Sequence, residues 1–148
     1  MKISTILAWL CRLALAGIFI YAGVVKMFPP IKRDLFMLDL STYQLLPLWA
    51  IVAVAWVLPP FEIALGLALL SGWKLRYAAA ISGLLLAMFI GVMLITYMRG
   101  IAANCGCFGD GEQIGPRTLV RDSLILLPAI FLTLYTWLLR PRSASPAV

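Results

Sequence analysis

Two cysteines with one glycine between them, Cys105 and Cys107, sit in the run Asn104-Cys105-Gly106-Cys107-Phe108-Gly109-Asp110-Gly111, a short polar loop bracketed by long apolar segments. Thiols at this spacing offer three chemistries. As a redox pair they would exchange with a partner's thiols through a mixed disulfide, one sulfur attacking and the other resolving. As a static crosslink they would close a tiny ring, whose entropic contribution is small. As ligands they would suit a soft ion such as Cu(I), with a thioether from Met27 or Met98. Zinc needs about four ligands, and the chain has no histidine to supply them. A disulfide requires Cα atoms roughly 4.4 to 6.8 Å apart, which residues i and i+2 reach in a bent chain. Gly106 permits that bend, and Gly109 with Asn104 shapes the rest of the loop. Strained or exposed disulfides are the exchangeable ones, so redox exchange is the leading expectation. It places both sulfurs in contact with water.

Four charged side chains could support this chemistry. Glu62 lies well inside an apolar segment, where an ionised group is expensive and is expected to be paired. If the outer ends of the spanning segments are level, helix rise puts Glu62 roughly 20 Å deep, near Arg12, and leaves Lys26 at the outer mouth. Arg12 with Glu62 is therefore the expected intramembrane pair, a structural tie; a proton or quinone role for Glu62 is the alternative. Lys26 would face the loop and favour a thiolate, or else extend to the lipid headgroups. Arg121, at the start of the last segment, carries the same two readings. Cys11, about 20 Å from the outer surface by the same arithmetic, is expected to be a buried apolar residue, with no bridge to the loop.

The elements that must position these groups are membrane spans. Of the 148 residues 64% are hydrophobic and 12% charged, with a mean hydropathy of +1.02, outside the range of ordinary soluble domains. Segments 5–28, 47–70, 77–98 and 119–139 are each long enough to cross a hydrocarbon core of about 30 Å. The expected fold class is thus an all-α membrane protein, a four-transmembrane-helix bundle forming one domain over 1–140, with a disordered tail at 141–148. Residues 31–46 mix charges with Leu35, Phe36, Leu38, Leu40 and Tyr43 and predict a short interfacial helix between helices 1 and 2. Pro59-Pro60 predicts a kink or a broken turn and Pro128 a bend, and Gly83 and Gly91 allow close helix approach. The first segment reads as an uncleaved helix, since Arg12 interrupts its apolar core and no small-residue cleavage site is clear. The net charge of +6 comes from basic residues at segment ends, which suits anchoring in a lipid bilayer and not nucleic-acid binding. Basic residues divide evenly between the two sides, so charge does not orient the chain. Persistent disulfides need an oxidising compartment, which places the Cys105/Cys107 loop in the periplasm and both termini in the cytoplasm of a bacterial inner membrane.

Arg12, Ala22-Gly23-Val24-Val25-Lys26, the 43–47 segment, Pro59-Pro60-Phe61-Glu62 with Gly66, Phe89, and Asn104-Cys105-Gly106-Cys107-Phe108-Gly109 resemble, in order, the motifs of the MauE branch of the DoxX-like membrane proteins. The resemblance covers nearly the whole chain before the tail. It implies a four-helix bundle similar in outline to the vitamin K epoxide reductase-like oxidases, from which this chain departs in having C-x-C and no second pair of loop cysteines. It further implies a role in maturing a periplasmic dehydrogenase of the methylamine dehydrogenase kind, alongside a periplasmic thioredoxin-like partner. Related DoxD-like proteins are linked to thiosulfate:quinone oxidoreduction, so a quinone is the candidate cofactor, although none follows from the residues themselves. The expectation is a membrane thiol-disulfide redox protein with Cys105 and Cys107 at its centre. The alternatives are a soft-metal transporter or chaperone and a non-catalytic anchor subunit of a redox complex.

Overall fold

A computed structural model describes residues 3–105 and 112–139. Gly106, Cys107 and Gly109 of the expected site, and the 141–148 tail, lie outside these residues. The described chain is helical: α1 (Ile3–Met27), α2 (Pro30–Thr42), α3 (Leu48–Ser71), α4 (Leu75–Met98) and α5 (Pro116–Leu134), which runs on into a π-helical stretch, Tyr135–Leu139. Four of the helices, α1, α3, α4 and α5, are long and apolar enough to cross a membrane, and the chain is an all-α four-helix membrane protein. Large apolar side chains such as Leu13, Val57, Leu84 and Leu127 stand exposed on these helices, as expected where the solvent is lipid.

The bundle is a ring in which α1 packs on α3 and α5, and α4 on α5 and α3. The α1–α3 contact is the tightest, and glycine makes it so. A Cβ at Gly23 would stand 2.6 Å from the Pro59 carbonyl oxygen, and one at Gly66 would stand 2.9 Å from that of Ala16. Sequence reasoning assigned close approach to Gly83 and Gly91 instead. A Cβ on Gly83 would meet only the Ala129 Cβ at 3.8 Å, and one on Gly91 would meet nothing within 4 Å.

No turn is broken at these prolines, since α3 runs helical through Pro59 and Pro60 and α5 through Pro128. The irregular stretch of the last span comes later, at Tyr135–Leu139, where the Arg76 Nε donates to the Thr136 carbonyl at 3.1 Å.

Helix α2 starts on Pro30, whose missing N–H is harmless in a first turn. It lays Phe36, Leu40 and, just past its end, Tyr43 against Ile51, Ala55 and Leu58 of α3, with Ala103 from the loop completing this core. A second core, built on Leu15, Phe19, Leu65, Leu69 and Leu132, fills the other half of the bundle. Glu62 falls between the two on α3.

Candidate functional site

The loop after α4 turns back through an isolated antiparallel bridge between Asn104 and Gln113. The Cys105 N–H donates to the Glu112 carbonyl at 2.7 Å and the Ile114 N–H to the Ala103 carbonyl at 2.9 Å. In extended backbone, residues two apart share a face, and Ala103 and Cys105 both turn inward, 4% and 6% exposed. The expectation that Cys105 meets water is therefore wrong. Once the loop is zipped into a bridge, alternation of its side chains, not its polarity, decides which are covered.

Tyr43 holds this turn from α2. Its hydroxyl lies 2.7 Å from the Asn104 carbonyl and 2.9 Å from that of Cys105, donating between them. Asn104 Nδ2 donates to Asp39 Oδ1 at 3.0 Å, and Arg99 donates to the Tyr43 carbonyl at 3.2 Å. Around the Cys105 sulfur lie the Met93 thioether at 3.3 Å, Asp122 Oδ2 at 3.8 Å and Arg121 Nη2 at 3.8 Å. Arg121 also bonds Asp122 Oδ1 at 3.0 Å and reaches Glu112. The thiol thus has a buried carboxylate within hydrogen-bond reach and a guanidinium beside its sulfur. Thr118 fixes the start of α5 by accepting from the Gly115 N–H at 2.9 Å, which sets Arg121 and Asp122 one turn further on.

The expected Arg12–Glu62 pair does not form. Glu62 is bound by Lys26, whose Nζ donates to both carboxylate oxygens at 2.7 and 2.9 Å, each side chain 3% exposed. The Lys26 ammonium also lies 5.3 Å from the Phe36 ring centre and 5.6 Å from that of Phe89, within cation–π range. The depth comparison failed because the spans are not flush. Gly23 sits level with Pro59 and Ile63, so the first turns of α3 extend beyond the end of α1, and α2 covers them. Arg12 instead donates to the carbonyls of Leu69 and Leu70 at the end of α3, where a cation complements the helix dipole. Gly72 caps that helix at φ 76°, and a Cβ there would meet Arg12 Nη2 at 2.8 Å. Cys11 is half-buried on α1, with no bridge to Cys105.

Sequence reasoning gave no site role to Tyr43, Met93 or Asp39. An acid seven residues into an apolar helix was a usable signal for Asp122. Among the described residues no group of three or more Cys, Asp or Glu is placed to hold a metal ion. Met93, not Met27 or Met98, supplies the thioether beside Cys105.

The methylamine utilisation protein MauE family matches residues 4–135. The chain belongs to that family. Membership implies a multi-pass membrane protein of methylamine utilisation. No curated protein and no solved structure matches the chain.

Proposed function

We propose that this MauE-family chain is an inner-membrane thiol-disulfide redox protein that works with a periplasmic thioredoxin-like partner during disulfide formation or maturation of a periplasmic dehydrogenase. The observation that carries the reading is the setting of Cys105: a thiol covered by protein at the membrane edge, with Asp122 placed to accept its proton and Arg121 beside its sulfur. Such groups activate a thiol; a static clip has no use for them. Because Cys105 faces inward, exchange with a partner falls to Cys107 and resolution to Cys105. A Cys105→Ala variant should then accumulate a mixed disulfide through Cys107, visible as a mass-shifted species whose captured protein is identified by mass. A Cys107→Ala variant should trap far less. Full maturation activity in a Cys105→Ser/Cys107→Ser double variant would sink the proposal.

The 3.3 Å contact between the Cys105 sulfur and the Met93 thioether favours a second reading, carriage of a soft ion such as Cu(I). Copper uptake that needs Cys105, Cys107 and Met93, with no mixed disulfide trapped in either single variant, would establish it in place of the first.

A further inference from the structure

A cavity of about 260 Å³ lies between α2, α3 and α4, with Lys26, Phe36, Phe89, Met93 and Cys105 on its lining. Three features restrict what it can hold. Its walls are almost wholly apolar, so a water-soluble carrier gains nothing there. Leu45, Leu46 and Met88, also on the lining, are 39%, 43% and 54% exposed. Met88 sits mid-way along the membrane span α4, so the cavity reaches the hydrocarbon of the bilayer. The lining also carries Tyr43, whose hydroxyl is directed to the Asn104 and Cys105 carbonyls; the other chemically active groups there are the Cys105 thiol and the Lys26 ammonium. An ammonium has three donors, and Glu62 takes two of them.

We propose that this cavity is a quinone-headgroup site, entered sideways from the lipid, that takes the electrons of the Cys105/Cys107 dithiol. The inference rests on the thiol redox reading and supplies the acceptor which that reading leaves open. Oxidising two thiols to one disulfide forms the S–S bond and releases two electrons and two protons. A quinone takes up both electrons and both protons at its two carbonyl oxygens and leaves as the quinol. It is a carrier class that does this while dissolved in a membrane. Its flat ring suits the space beside Phe36 and Phe89, and one carbonyl can accept the third Lys26 N–H. The volume lies just below the ~300 Å³ at which small-molecule pockets begin, enough for a ring whose isoprenoid chain stays in the bilayer through the gap beside Met88. Cys105 then faces the acceptor while Cys107 serves the partner.

The test uses the full-length chain in lipid nanodiscs, reduced and held without oxygen, with a decyl-chain benzoquinone as probe. Loss of two thiols with formation of one quinol per chain is expected. Val92→Trp, which fills the cavity, and Met88→Trp, which obstructs its exposed mouth without repacking the core, should each slow that reaction at least tenfold. An azidoquinone should photolabel the peptides carrying Leu45, Leu46 or Met88 in the oxidised chain, and the decyl-chain quinone should compete for that label. If the quinone leaves the thiols reduced while a small-molecule disulfide oxidises them, the quinone site falls and the thiol-exchange reading stands. If neither oxidises them, both fall. Labelling displaced equally well by a plain long-chain hydrocarbon would show a groove for lipid tails and overturn the site, as would unchanged rates in both tryptophan variants.

Discussion

Replacing Lys26 by methionine would leave the Glu62 carboxylate in an apolar interior with neither of its two close donors. Breaking a buried pair from one side typically costs about 3–5 kcal/mol, whereas removing both charges is often close to neutral. Lys26→Met alone should therefore lower the unfolding midpoint in detergent sharply, and Lys26→Met/Glu62→Leu should recover most of the loss. A double variant no better than the single one would mean that the pair is not the energetic unit the geometry describes. Tyr43 allows a subtler measurement. Tyr43→Phe removes the hydroxyl that ties down the Asn104 and Cys105 carbonyls, a bond worth about 1 kcal/mol. Local opening of the loop should become about fivefold more frequent, and alkylation of Cys105 by a thiol reagent should quicken by that factor, with global stability nearly unchanged. At this scale residue type and spacing singled out Cys105 and Cys107 as the candidates for chemistry. It did not give the burial of Cys105, because the face that a loop side chain takes depends on the Asn104–Gln113 pairing, and no local pattern announces that pairing.

Glycine sets the helix contacts through its position, not its presence. Gly23 and Gly66 are the points where the backbones of α1 and α3 come closest, so Gly23→Ala or Gly66→Ala must push the two helices apart. Overpacking of this kind costs about 1–3 kcal/mol. Gly91→Ala, with nothing within 4 Å of the added Cβ, should be neutral or stabilising by up to about 1 kcal/mol through helix propensity. Thermal unfolding of the three variants in the same detergent gives the ranking, and a Gly91→Ala variant as damaged as the other two would contradict it. All four glycines lie in comparably apolar stretches, which is why hydropathy could not separate them; the distinction arises only when α1 and α3 are set in register. The same holds for proline. Pro59 and Pro60 each remove a helical N–H, yet α3 stays continuous, so a proline pair in a membrane span marks missing hydrogen bonds without marking a break.

The four spans and the short helix after the first were legible in the chain because the bilayer thickness fixes how long an apolar helix must be. How far each span projects was not, because no length rule says that helix ends are level, and α2 covers the part of α3 that α1 leaves bare. That offset brings Lys26 down to Glu62 and opens the space between Lys26 and Cys105, so the features of greatest functional interest come from the assembly and not from any one segment. Orientation is also a property of the whole molecule, and the even split of basic residues leaves it to experiment. The Cys105 loop shares its end of the bundle with α2, including Asp39, and with the start of α5; the Ser71–Leu75 turn lies at the opposite end with Arg12. In a background lacking all three native cysteines, Arg117→Cys should react with a membrane-impermeant maleimide in intact spheroplasts, and Lys74→Cys only after permeabilisation. Both positions are exposed, so either would be labelled if it faced the reagent. The reverse pattern would put the Cys105 thiol on the reducing side, where a disulfide formed there would not persist, and would remove the basis for exchange with a periplasmic partner.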